Sequence, residues 1–212
     1  VFAETFGWER AKWFDSSGHG EHYSFRRNNS FQSVAKECMA VRERVGLLEL
    51  TCFAKYEIRG SDAETFLQRI CANRIPKRKG GVALVHMLTE LGGIECEATI
   101  TRIEENKYYA LSGAIAETHD FDWLVQNILT DENVSVRNVT DEYGVLVLAG
   151  PRSRDVLSKL TDADLSNSAF PWLSGKTIDV SGIKTLALRV SYAGELGWEL
   201  HIPMQNVAEL YD

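Results

Sequence analysis

The chain has 212 residues, 44% of them apolar and 10% aromatic, enough for one large or two small packed domains. Its formal net charge of −7 argues against a general polyanion or nucleic-acid binder. No run approaches the ~20 consecutive apolar residues that cross a bilayer, and no basic segment leads into an apolar one as in a signal peptide, so no membrane role is expected.

The first thirty or so residues carry Trp8, Trp13, Phe14 and Tyr23 among Gly and Ser without sustained periodicity. Residues 1–32 are expected to be a junction segment packed on a neighbouring surface. From Ser33, apolar Val34, Cys38, Val41 and Val45 fall at helical spacing until Gly46 stops the run. The next strand is expected over 54–59, alternating through Tyr56 and Ile58 to Gly60. Ser61-Asp62-Ala63-Glu64 then reads as a capping box before the apolar helical face Phe66, Leu67, Ile70.

The same strand, glycine, helix order recurs at Val145–Leu160, where Gly150 ends the strand, Pro151 suits the first helical position and Val156, Leu157 and Leu160 form the face. The two glycines are 90 residues apart (150 − 60 = 90), a period too long for a solenoid and matching duplication of a domain-sized unit. Strands are expected after each unit, over 82–88, 94–104 and 107–113 in the first and over 177–180, 184–192 and 198–203 in the second, with helices at 119–129 and 204–211. The pattern describes an α+β fold of two ferredoxin-like β-α-β-β units, the first over 33–138 and the second, C-terminally incomplete, over 139–212. Val1 without a methionine and a last helix still opening at Asp212 read as cuts from a longer chain.

Cys38, Cys52, Cys71 and Cys96 have no C-x-x-C spacing and are expected to be reduced thiols. The triplets at Asn28, Asn133 and Asn138 match a glycosylation pattern that arises easily by chance. His19 and His22 lie in a Gly-rich stretch without ligand partners, and His86 reads as a core or rim histidine, so no metal is assigned. Without G-x-G-x-x-G, P-loop, G-x-S-x-G or H-E-x-x-H patterns, neither flavin nor nucleotide binding is expected within this segment.

Two stretches carry candidate chemistry. After the Gly92-Gly93 turn, alternation puts Glu95, Glu97 and Thr99 on one strand face and Cys96, Ala98 and Ile100 on the other. Such a face is either a solvated one or a row of carboxylates presented to a ligand. In Tyr192-Ala193-Gly194-Glu195-Leu196-Gly197-Trp198-Glu199, two carboxylates and an aromatic stand beside glycines that permit a close approach. A carboxylate accepts two parallel N–H bonds from an amino-pyrimidine edge as it does from a guanidinium, which suits a flat polar heterocycle. The plain reading of the same stretch is a charged turn with Trp198 covering the surface.

At Phe6-Gly7-Trp8-Glu9-Arg10, Trp13-Phe14, Tyr23-Ser24-Phe25-Arg26-Arg27-Asn28, Asp162-Ala163-Asp164-Leu165-Ser166 and Tyr192 to Leu200, the chain resembles the aminomethyltransferase (glycine-cleavage T-protein) superfamily. The likeness spans essentially the whole chain. It is greatest to the folate-binding C-terminal region of dimethylglycine and sarcosine dehydrogenases, because the tryptophan-rich opening looks like the junction after their flavin-binding half. The resemblance implies tetrahydrofolate as cofactor and a one-carbon unit from an oxidised N-methylamine as the group transferred. It places Glu97 at the family's catalytic acid, glutamate standing where aspartate is usual. Glu199 maps to the acid that anchors the pterin amino edge, with Tyr192 and Glu195 beside it, and Phe53 and Thr99 match the pterin-lining region. A tyrosine of many transferases is replaced by Leu84, and the family's later arginine and third domain lie outside this chain. The resemblance further implies FAD only in a flavin domain elsewhere in a parent chain, and a mitochondrial-matrix location in a eukaryote or a cytoplasmic one otherwise. Two rivals are a non-catalytic interaction module like the regulatory subunit of pyruvate dehydrogenase phosphatase and an isolated glycine-cleavage aminomethyltransferase; the opening disfavours the latter.

Overall fold

The computed structural model describes residues 1–212. In chain order the elements are β1 (2–5), β2 (8–11), α1 (31–43), β3 (46–49), β4 (54–59), α2 (63–70), β5 (82–88), β6 (94–104), β7 (107–112), α3 (117–126), β8 (135–138), β9 (143–149), α4 (153–157), β10 (174–180), β11 (183–189), β12 (197–203) and α5 (207–211). Beyond the β1–β2 hairpin, the strands form two antiparallel five-stranded sheets, ordered β5-β6-β7-β4-β8 and β10-β11-β12-β9-β3. This is the expected α+β class.

Each sheet buries one face against its own helices. The first packs Tyr56, Ile58, Ile100 and Tyr108 on Phe66 and Leu67 of α2 and Leu124 of α3. The second packs Leu146, Val180, Trp198 and Ile202 with Leu157 of α4 and Phe170 of the following loop. Trp198 is fully buried with Phe170 edge-on, so the alternative that it covers the surface is wrong. The opposite faces of the sheets meet through Val82, Tyr109, Leu111, Val139 and Leu188.

β8 stands to β9 as β3 stands to β4, so with the second copy counted from β8 the internal doubling extends to an exchange of strands. β3 precedes β4 in the chain yet pairs with β9 in the second sheet, while β8 precedes β9 yet pairs with β4 in the first. At both crossings the same clasp forms. Leu50 N–H donates to Val145 O (2.9 Å) and Val145 N–H donates to Thr51 Oγ1 (3.1 Å); Val139 N–H donates to Lys55 O (2.8 Å) and Lys55 N–H donates to Thr140 Oγ1 (3.0 Å). Both threonines are buried. Where the second half has Val145, the first has Lys55, whose Nζ donates to the carbonyls of Thr51 (2.7 Å), Phe53 (2.8 Å) and Thr140 (3.2 Å) and so ties both crossing segments together. Its pKa is lowered to about 8 because burial penalises the cation.

Gly60 and Gly150 end β4 and β9 at φ +140° and +125°. A Cβ on Gly60 would lie 1.8 Å from Asn133 O, and one on Gly150 would lie 2.6 Å from Val41 O. The capping box does not form, since no side chain caps α2; Asp62 Oδ2 instead accepts Asn133 N–H (2.8 Å). Helix α4 starts at Ser153, not Pro151, after a turn closed by Ser153 N–H to Gly150 O (3.0 Å), with Arg152 N–H donating to Arg44 O (2.8 Å), and it ends before Leu160. In the opening segment, Phe6 and Gly7 take positive φ to turn the β1–β2 hairpin, and Trp13 is buried.

Substituting Gly60→Ala or Gly150→Ala is expected to lower the unfolding free energy in urea by about 2–4 kcal/mol each, since positive φ and backbone overlap add. Thr51→Val and Thr140→Val each strand a buried N–H at the same point of the doubling. They are expected to cost a similar ~1–3 kcal/mol, with Ser at either position recovering most of the loss in the same denaturation assay.

Candidate functional site

The exchange of β3 creates a recess. Leu48 of β3 stands opposite Val147 of β9, which stands opposite Glu199 of β12, which stands opposite Leu188 of β11. With period-2 alternation this row lies on the second sheet's inner face, with His201 two residues on. Over it, α1 and the loop from 190 to 196 enclose a mostly apolar cavity of about 900 Å³. Phe14 and Val41 wall one side; Tyr192 and Glu195 line it from the loop, and Glu199 lines it from the sheet.

The Glu199 side chain is only 25% exposed, and one of its oxygens is met from behind, where Oε2 is 3.4 Å from Nε2 of the fully buried His201. His201 Nδ1 is 3.1 Å from the hydroxyl of Tyr109, on β7 of the first sheet. Burial lowers the His201 pKa, partly opposed by Glu199, and raises that of Tyr109 well above its ordinary value, so this pair is a neutral imidazole and a protonated phenol at pH 7. Tyr192 is fully exposed on the loop, and Ser191 Oγ lies 3.3 Å from Glu195 Oε2 and accepts Gly194 N–H at 2.7 Å.

On β6 the predicted alternation holds from Cys96 on, with Cys96, Ala98 and Ile100 buried and Glu97 and Thr99 on the other face, but Glu95 is the extra residue of a bulge opposite Met87 and Leu88 and turns instead to His119 of α3. Thr99 stands in a row with Leu84, Leu111 and Lys55. That face is turned toward the second sheet, because Leu111 and Tyr109 pack on Leu188. Glu97 therefore stands on the inner face of its sheet as Glu199 does on its own. The structure gathers Tyr192, Glu195 and Glu199 around the cavity; Glu97, Thr99 and Phe53 are not among its lining residues. Phe53 lies in the turn before β4, with its N–H donated to Leu50 O (3.2 Å) and its carbonyl held by Lys55.

Sequence reasoning did not join His86 to Glu97. The two are cross-strand partners, with His86 Nε2 2.7 Å from Glu97 Oε2. Both backbone polar groups of His86 are pinned, its N–H by Asn73 Oδ1 (3.2 Å) and its carbonyl by Ala72 N–H (2.8 Å), which sets the ring over the carboxylate. Spacing gave no signal for this, because register between β5 and β6 decides it. On the opposite side of the turn, His119 bridges Glu95 and Asp120 at 2.9 Å each, and these hydrogen bonds raise its pKa.

Comparison with known proteins agrees with this architecture. A model of the GCVT N-terminal domain matches residues 1–212. The chain is 41% identical over 209 residues to the mitochondrial dimethylglycine dehydrogenase of Rattus norvegicus, covering 97% of this chain and 24% of that protein. It is 34% identical over 183 residues to the aminomethyltransferase of Listeria monocytogenes, covering 86% of this chain and 50% of that one. It thus spans about a quarter of the dehydrogenase's length and half of the transferase's. The crystal structure of aminomethyltransferase T of the glycine cleavage system from Bartonella henselae superposes with a TM-score of 0.80 over 100% of this chain and 52% of that one, at 21% identity, a likeness of fold. With the whole chain matched and the doubled sheets in place, the protein belongs to the GCVT N-terminal domain family, related to dimethylglycine and sarcosine dehydrogenases and to aminomethyltransferases.

Proposed function

We propose that this chain is the tetrahydrofolate-binding, one-carbon transfer module of a dimethylglycine- or sarcosine-dehydrogenase-like enzyme. In this reading, formaldehyde or an iminium from an oxidised N-methylamine is taken up as 5,10-methylenetetrahydrofolate. The observation that carries it is the apolar cavity with Glu199 set in its floor between Val147 and Leu188. A pterin needs flat apolar walls and an acceptor for its amino-pyrimidine edge, and this cavity supplies both. Its volume of about 900 Å³ is ample for the ring system.

Bound tetrahydrofolate supplies amine nitrogens that accept a one-carbon unit. Glu199 accepts N–H bonds from the pterin edge; Tyr192 packs beside the ring and Glu195 adds a second acceptor from the loop. In this reading Thr99 and Phe53, outside the cavity's lining, contact the part of the ligand that extends toward the first sheet. Glu97 orients the nucleophilic amine and offsets positive charge that develops on nitrogen, with His86 fixing the carboxylate by its 2.7 Å contact. Holding both reactants within one enclosure supplies much of the rate advantage and keeps formaldehyde from solvent. A parent chain would carry FAD in a separate flavin domain and, in a eukaryote, work in the mitochondrial matrix; its likeness to mitochondrial dimethylglycine dehydrogenases supports a mitochondrial location.

The reading is tested by calorimetry with tetrahydrofolate and by the rate of formaldehyde capture in the parent chain. Glu199→Gln is expected to weaken binding about 10- to 100-fold. Glu97→Gln is expected to leave affinity within about threefold and to slow capture about 100-fold. A parent chain that does not bind tetrahydrofolate would overturn the reading in favour of a non-catalytic interaction module.

A further inference from the structure

We propose that Tyr109, His201 and Glu199 form a directional relay in which the Tyr109 hydroxyl donates to His201 Nδ1 and His201 Nε2–H donates to Glu199, making His201 and Tyr109 positioning residues for the cavity's carboxylate. The sequence holds Tyr109 and His201 92 residues apart and in different halves of the doubling. Strand exchange and the packing of the two inner faces bring Tyr109 Oη to 3.1 Å from Nδ1 and Nε2 to 3.4 Å from Glu199 Oε2.

The direction follows from donor counting. A protonated phenol buried to 5% exposure has one hydrogen to place, and its hydroxyl's contact in this structure is with Nδ1. A neutral imidazole that accepts at Nδ1 must carry its hydrogen at Nε2, and that nitrogen faces the carboxylate. In the opposite tautomer Nδ1–H would donate to the phenol oxygen, leaving the buried hydroxyl hydrogen without an acceptor and setting a lone pair against the Glu199 oxygen. The ring cannot turn to escape, since it is fully buried and packed edge-on to Tyr109 with centroids 5.3 Å apart. The relay therefore pins Oε2 from behind and leaves the other oxygen and the remaining lone pairs aimed at the cavity. It also makes the geometry of a site in the second sheet depend on a side chain of the first.

The carboxylate's ligand rests on the folate reading above, whereas the relay itself does not, and the experiment separates the two. Ring-nitrogen NMR of the full chain labelled with ¹⁵N-histidine is expected to show His201 as the Nε2–H tautomer, and Tyr109→Phe is expected to shift it toward a mixture. In tetrahydrofolate titrations, His201→Leu and Tyr109→Phe are expected to weaken binding about tenfold and about fivefold, while His201→Gln, which retains an N–H donor, stays within about threefold of the parent. An Nδ1–H tautomer or an imidazolium at neutral pH in the unsubstituted chain overturns the relay, as does equal loss in His201→Gln and His201→Leu. The Nε2–H tautomer in a chain with no affinity for tetrahydrofolate supports the relay and removes the folate reading alone.

Discussion

The reciprocal clasp of Thr51 and Thr140 is the constraint on which the remaining structure depends. Each threonine accepts the N–H of a strand in the other half, and each lies in the segment that delivers an exchanged edge strand. Neither sheet is complete without a strand from the other's sequence, so the halves cannot slide or separate without opening both. A buried N–H left without its acceptor costs about 1–3 kcal/mol, and the two clasps are coupled through Lys55, whose ammonium spans both crossings. The seam thus interlocks the two halves through shared strands.

That interlock explains why carboxylates can stand where they do. Glu199 lies in a row of aliphatic side chains, a place where an unpaired charge is strongly disfavoured. His201 supplies the hydrogen bond that makes the position tolerable, and a buried tyrosine from the opposite sheet sets the histidine. Glu97 is managed differently. It is half exposed, and its histidine is held by backbone bonds on both sides. One carboxylate is anchored within the apolar floor and the other at the rim of the first sheet, which suits a division between holding a ring and acting on a reacting nitrogen.

Much of this was legible in the chain. Glycines at 60 and 150 announced the doubling because each must take positive φ where another backbone passes within van der Waals distance. Alternation from Cys96 to Ile100 gave the two faces of β6 correctly, since Cys96, Ala98 and Ile100 are buried, while the bulge at Glu95 depends on register with β5 and left no mark in the spacing. What escaped was set by distant partners. β3 and β8 are four residues each and pair only with strands far away in sequence, β9 and β4, so neither local pattern nor propensity marks them. The capping box failed because Asp62 and Ser61 are both engaged with Asn133, 71 and 72 residues away. Trp198 reads as a turn residue among glycines and acids, yet it anchors the second core between Arg154 and Arg189. The histidines beside both carboxylates depend on register and sheet packing, which sequence spacing does not encode.

The central claim is that the exchanged strand β3, laid beside β9, helps to build the cavity over the second sheet and that the cavity is where ligand binds. Amide hydrogen exchange of the parent chain with and without tetrahydrofolate tests it most directly, because it reads position and not only affinity. The account predicts slowed exchange in the 190–199 loop and strand and in α1 and β3, which enclose the cavity, with the outer strand β10 unchanged. Protection confined to β10 and α4, or a map indistinguishable from the ligand-free one at saturating tetrahydrofolate, would contradict it.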